Sequence, residues 1–162
     1  MKIQWEYERK FLVNPAALPA LPRGVRIEQA YLGFEPVVRV RLEGDRGVLT
    51  VKGPGLRARR EVNLSIPAEA ARALIELRVE GTTVIRKTRH LVLHGGHVWE
   101  VDVFAEPFRG LVTAEVELRT PDEVPELPPW VGQEVTDHPR FQNAALARTG
   151  RIPPPPPPEP KE

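Results

Sequence analysis

The sequence has no cysteine. Disulfides, thiolate nucleophiles and thiolate metal sites are therefore excluded, and the composition suits a reducing compartment. It has no apolar run long enough to span a bilayer, and its first residues do not open an apolar signal segment. The expectation is a soluble cytoplasmic protein without a membrane partner. An excess of either charge is also missing: 23 basic residues face 22 acidic ones, a formal net charge of +1. No global field points to nucleic acid or lipid, so any electrostatic function has to arise from local segregation of charge. Aromatic residues are few, and Trp5, Trp99 and Trp130 are not interleaved with a basic patch, which favours packing over base stacking and argues against a nucleic-acid partner. No Ser-His-Asp arrangement is apparent, and Gly53-Pro54-Gly55 lacks the Gly-Lys-Ser/Thr ending of a phosphate loop.

Proline, by contrast, is abundant, and six of the 19 form the run Pro153 to Pro158 ahead of Glu159-Pro160-Lys161-Glu162. We read residues 1–150 as one domain and 151–162 as a proline-rich, disordered tail, extended in polyproline II and without packed partners. At 162 residues the chain is long enough to bury a substantial core.

Alternation and glycine, proline and aspartate turns predict about eight strands: 4–12, 26–34, 37–42, 47–53, 58–66, 83–93, 98–104 and 111–118. Glu43-Gly44-Asp45-Arg46-Gly47 and His94-Gly95-Gly96-His97 suit hairpin loops, which makes their flanking strands antiparallel. One clear helix starts after Pro67, runs over 68–79 with Ala71, Leu74, Ile75 and Leu77 as its apolar stripe, and is closed by Gly81. A weaker one covers 143–148. Many strands and few helices argue for a mainly β (α+β) fold, an antiparallel sheet closed or nearly closed on itself with helices packed outside.

Charge follows the strand period. Glu6, Glu8 and Lys10 stand at alternate positions and so face one way. The same spacing doubles one sign in Arg39-Val-Arg41, Lys87-Thr-Arg89, Glu100-Val-Asp102 and Glu115-Val-Glu117, while Lys52 ends its strand and Arg59 shares a face with Glu61. Like charges adjacent on one face repel, and a merely solvated face would mix signs. We therefore expect a barrel with a charged lumen and its valines turned outward under the helices.

In such a lumen, Lys10, Arg39, Arg41, Lys52, Arg59, Lys87 and Arg89 would suit phosphate oxygens. Glu6, Glu8, Glu61, Glu100, Asp102, Glu115 and Glu117 form an all-oxygen donor set suited to Mg²⁺ or Mn²⁺. The two sets together describe a metal–polyphosphate site. His90, His94, His97 and His138 offer no third ligand at zinc spacing.

On these residues the chain resembles the CYTH superfamily of triphosphate tunnel metalloenzymes. Glu6-Tyr-Glu8-Arg-Lys10 is similar to the ExExK signature, and the likeness continues through Gln29-Ala-Tyr31, Val38-Arg39-Val-Arg41, Leu49-Thr-Val-Lys52, Lys87-Thr-Arg89, Trp99-Glu100-Val-Asp102, Glu115-Val-Glu117 and Pro139-Arg140-Phe141. The resemblance implies an eight-stranded antiparallel β tunnel and divalent-metal-dependent hydrolysis of a small-molecule triphosphate, with inorganic tripolyphosphate the first choice. It implies phosphate binding by Lys10, Arg39, Arg41, Lys52, Lys87 and Arg89, to which the lumen reading adds Arg59, and metal handling by Glu6, Glu8, Asp102, Glu115 and Glu117, to which it adds Glu61. One metal would orient the phosphates and a second would activate water, with Lys10 and Tyr31 as catalytic residues and Tyr31 hydrogen-bonding Lys10. A class IV-type adenylate cyclase, a thiamine or nucleoside triphosphatase and a non-catalytic polyphosphate-binding module stay open as alternatives, as does a homodimer. One departure stands out: Glu61-Val62-Asn63 replaces a second carboxylate of the family pattern with an amide.

Overall fold

The computed structural model describes residues 1–160. Eight strands run β1 (Lys2–Leu12), β2 (Val25–Phe34), β3 (Val37–Glu43), β4 (Arg46–Lys52), β5 (Ala58–Ile66), β6 (Ile85–His94), β7 (His97–Phe104) and β8 (Val112–Leu118). Two helices join them, α1 (Ala68–Glu76) between β5 and β6 and α2 (Asn143–Thr149) after β8. Every strand pair is antiparallel, and the ring closes in the order β1-β5-β4-β3-β2-β6-β7-β8. The expected closed, mainly β architecture is what forms. Gly44 turns β3 into β4 at φ 59°, and Gly95 and Gly96 turn β6 into β7 at 58° and 77°, conformations that a Cβ disfavours.

The register carries the charges inward. Glu6 lies opposite Arg59, Glu8 opposite Glu117 and Lys10 opposite Glu115. Tyr31 faces Arg39, Lys52 faces Glu61 and Arg89 faces Asp102. Alternate residues then point out, and the apolar core lies outside the barrel in separate clusters. Around β1, β7 and β8, Phe11, Trp99, Val101, Ala114 and Val116 are capped by Trp130 from the segment after β8, with Trp99 edge-on to Trp130 at 6.3 Å. Across the ring, α1 covers Ala30 and Val40 with Ala71 and Ile75. A Cβ at Gly47 would meet the Ile66 carbonyl at 2.7 Å and Ala71 at 3.0 Å, so glycine there lets α1 approach the sheet. Gly47→Ala is expected to lower stability by about 1–3 kcal/mol through overpacking, read as a lower urea midpoint at unchanged slope.

Three expectations need correction. The first helix ends at Glu76, before Val79, because Arg78 donates to the Ile75 carbonyl (3.2 Å) and the Val79 amide turns away to donate to Tyr31 of β2 (3.0 Å). Trp5 is not a packing residue: it sits on the outer face of β1 beside Arg60 and is 57% exposed. The tail is not without packed partners: Pro156 is buried, and Gln133 donates to the carbonyls of Pro156 and Pro157 at 3.1 Å each. Lys161 and Glu162 lie outside the described residues. Among the described residues, no helix is long and apolar enough to cross a membrane.

Candidate active site

The lumen holds a cavity of about 230 Å³. Glu6, Glu8, Lys10, Arg39, Arg41, Lys52, Arg59, Glu61, Arg89, Glu100, Glu115 and Glu117 all line it, so twelve residues singled out by their spacing meet in one enclosed space, and Tyr31, singled out by the family resemblance, lines it too. The signs are segregated. Adjacent β8, β1 and β5 form a largely acidic wall, and across the ring β3 supplies Arg39 and Arg41 and β6 supplies Arg89, with Tyr31 of β2 between them.

Along the acidic wall, carboxylates crowd together with two ammonium groups between them. Lys52 reaches Glu6 at 3.0 Å and Glu61 at 3.3 Å, and Lys10 reaches Glu115 at 3.3 Å. Burial alone would raise Glu6, but its hydrogen bond with Glu61 and the charge of Lys52 hold it well below the usual carboxylate range. Glu8 goes the other way. Burial pushes its carboxyl well up, and the neighbouring charges of Glu115 and Glu6 add to the shift. Burial would also raise Glu115, yet Lys10, Arg89 and Lys87 outweigh it and keep that group ionised. The row thus sets Glu8, pushed up, between two neighbours held down, a stack that a cation would relieve.

The basic wall is occupied unevenly. Arg89 is fully engaged, with Asp102 at 2.8 and 2.9 Å and Glu100 at 2.6 Å. Arg41 donates to Gln29 (2.9 Å) and Glu43 (3.1 Å). Burial, followed by the charges of Arg39 and Arg89, draws its guanidinium down to about 10. Arg39 donates to Thr50 at 3.3 Å, and Arg59 stands 3.8 Å from Glu8. The Nε atoms of Arg39 and Arg59 are buried and have no partner among the described residues.

Lys87 and Asp102 share the inward face without lining the cavity. They form a 2.7 Å ion pair whose side chains are 0% and 1% exposed. Both Asp102 oxygens are taken up by Arg89 and Lys87, and Lys87 also donates to Asn143 of α2 at 3.1 Å. Burial brings Lys87 down to about 7 despite Asp102. Tyr31 and Lys10 both line the cavity, but the Tyr31 hydroxyl accepts from Gln29 at 3.4 Å while the Lys10 ammonium turns to Glu115. His94 and His97 lie outside the lumen in the β6–β7 turn, beside Glu126 and Glu123. Asn63 does not offer a free carbonyl: its Oδ1 accepts from Thr50 at 2.6 Å and its amide donates to Glu61.

Spacing missed Gln29 and Glu43, although each continues the alternation of a residue already singled out. It also missed Gln142 and Asn143, which enter the cavity from the start of α2. No local signal in the sequence announces their arrival.

Comparisons with known proteins agree with this geometry. The CYTH domain profile matches residues 4–146. An inorganic triphosphatase of Acetivibrio thermocellus is 40% identical over 146 residues, covering 88% of this chain and 93% of that protein. An inorganic triphosphatase of Nitrosomonas europaea is 36% identical over 151 residues, covering 88% and 96%. A crystal structure of an inorganic triphosphatase superposes with a TM-score of 0.62 at 33% identity, over 91% of this chain and 99% of the other. With the profile spanning nearly the whole barrel and relatives matching along most of their own length, the chain belongs to the CYTH domain family.

Proposed function

We propose that this chain is a divalent-metal-dependent triphosphatase that hydrolyses inorganic tripolyphosphate to diphosphate and phosphate inside the lumen. The observation that carries the reading is the pair of unpartnered guanidinium Nε atoms of Arg39 and Arg59, buried on the cavity wall. Buried donors are costly to leave unpaired, and guanidinium forks match phosphate oxygens. Two curated relatives are inorganic triphosphatases, and the compact cavity offers charge along its length.

The acidic wall fits a hard cation. Among the described residues no three acidic or imidazole groups form a ready-made cage. Mg²⁺ binds in such surroundings, taking one or two carboxylates and completing its shell with water and substrate phosphates. Glu6, Glu8, Glu61, Glu115 and Glu117 would hold it. When bound, the ion neutralises phosphate charge and lowers the pKa of coordinated water.

The chain's own residues then divide the work. Arg39, Arg41, Lys52 and Arg59 bind and align the phosphate oxygens, which places the terminal phosphorus for in-line attack. Lys10 holds a positive charge against Glu115 at the lumen surface and supports the oxygens around the reacting phosphorus. Tyr31 fixes Gln29 and through it Arg41. We assign Asp102 and Lys87 to positioning: they hold Arg89 in place from behind the wall.

The test is a phosphate-release panel over tripolyphosphate, ATP and thiamine triphosphate with Mg²⁺ and Mn²⁺, monitoring cyclic AMP. The expected result is metal-dependent release that is strongest with tripolyphosphate. Binding without turnover in either metal would replace the proposal with a phosphate-binding module, and cyclic AMP with a cyclase. Changing Glu115 and Glu117 together to Gln should raise the metal concentration for half-maximal rate by about tenfold or more. An unchanged metal requirement would remove them from the metal site.

A further inference from the structure

We propose that the outside of the barrel carries a polyproline-binding site centred on Gln133, occupied by the chain's own residues 153–158, so that the tail straps down the segment bracing the Lys10 end of β1. The need for a brace comes from the register. β5 accompanies β1 only as far as the pair Tyr7 and Ala58, whereas β8 continues on the other side to Leu12 opposite Thr113. Beyond Tyr7, that edge of β1 would be left without a strand partner. Residues 132–136 fill it: Leu12 donates to Gln133 (2.8 Å), Gly132 to Leu12 (2.7 Å), Val135 to Lys10 (2.8 Å) and the Lys10 amide to the Thr136 hydroxyl (3.0 Å). The bracing segment reaches the lumen too, since Val135 and Thr136 line the cavity.

Gln133 faces both ways. Its backbone carbonyl holds β1, and its side-chain amide donates to Pro156 and Pro157 at 3.1 Å each. The chemistry matches in number. Successive prolines have no N–H and leave their carbonyls free as acceptors, and a carboxamide carries two N–H donors. Pro156 is buried at this contact, and Pro155, Pro158 and Glu159 lie alongside Gln133 and Glu134. Glu134 itself is fixed by Arg9 at 2.7 and 3.0 Å, so the platform under the tail is held from a second side. A proline run is already stiff in isolation, so docking it forfeits little chain entropy.

Amide hydrogen exchange followed by NMR tests this on the full chain, on Gln133→Ala and on a chain ended after Arg151. Both changes should speed exchange at Leu12, Gly132 and Val135 by about tenfold, because local opening there loses its strap. Combining them should add nothing further. Val40 and Val101, on other strands, should stay slow, which reports an intact barrel. A synthetic peptide of residues 151–160 at millimolar concentration should restore slow exchange to the shortened chain but not to its Gln133→Ala version. Unchanged exchange at the three amides in both variants would overturn the proposal. So would a peptide that fails to slow exchange in the shortened chain.

Discussion

Replacing Asp102 with alanine is expected to lower the unfolding free energy by about 3–5 kcal/mol, because it strips the counter-charge from a fully buried cation. Lys87 would lose its 2.7 Å partner while enclosed by Phe104 and Asn143, and Arg89 would keep only Glu100. The added change Lys87→Met should recover much of the loss, since removing both charges leaves neither uncompensated. Urea denaturation of the single and double variants checks this, and an Asp102→Ala protein as stable as the parent would contradict the buried pairing. Acid should act on the same contact. Burial would raise the Asp102 carboxyl, but Lys87 and Arg89 outweigh it and hold the group well below its ordinary range. As pH falls the unfolded chain therefore takes up this proton first. The stability contribution is complete above about pH 4 and drains away toward the lower folded value. The Asp102→Ala variant should show a flatter acid limb.

Arg39→Ala should do the reverse, lowering the rate by about 10²–10³ through loss of a preorganised donor while leaving stability unchanged or slightly higher. Among the described residues its guanidinium makes one hydrogen bond, to Thr50 at 3.3 Å, and its charge helps to depress Arg41. Removing it relieves repulsion between like charges but takes away a grip on phosphate. Arg39→Lys should recover only part of the rate, because an ammonium cannot reproduce the fork. Phosphate release measured beside thermal unfolding separates the two effects. Full activity in Arg39→Ala would withdraw Arg39 from phosphate binding.

The contrast between Asp102 and Arg39 marks where sequence reading ends. Both stand at inward positions by alternation, and alternation was enough to bring twelve residues together, because strand period and glycine turns are local properties of the chain. Period assigns a face but not a depth. Asp102 and Lys87 lie behind the cavity wall, where Asn143 arrives from 56 residues further along the chain, and no spacing in β6 or β7 encodes that approach. Glu43 was legible by the same rule as Arg41, and Gln29 by its place two residues before Tyr31, but an amide or an odd carboxylate draws less notice than a like-charge doublet. Trp5 misled for a related reason. An aromatic at an outward position is buried only if some later segment covers it, and cover exists at Trp99 and not at Trp5. The docked tail was hidden as well, since a proline run advertises extension and says nothing about the single glutamine that receives it.

The ring of eight strands also bears on how molecules of this protein treat one another. Each strand has a hydrogen-bonded neighbour on both flanks, and the one stretch that β5 abandons is taken by residues 132–136. Among the described residues a neighbouring molecule therefore finds no strand with a whole free edge, the usual template for fibrils, and only strand ends such as Lys2–Glu6 of β1 run past their neighbour. Aggregation by that route would have to begin with a tear in the circle, and the seam beside Lys10 is where the closure depends on a segment outside the eight strands.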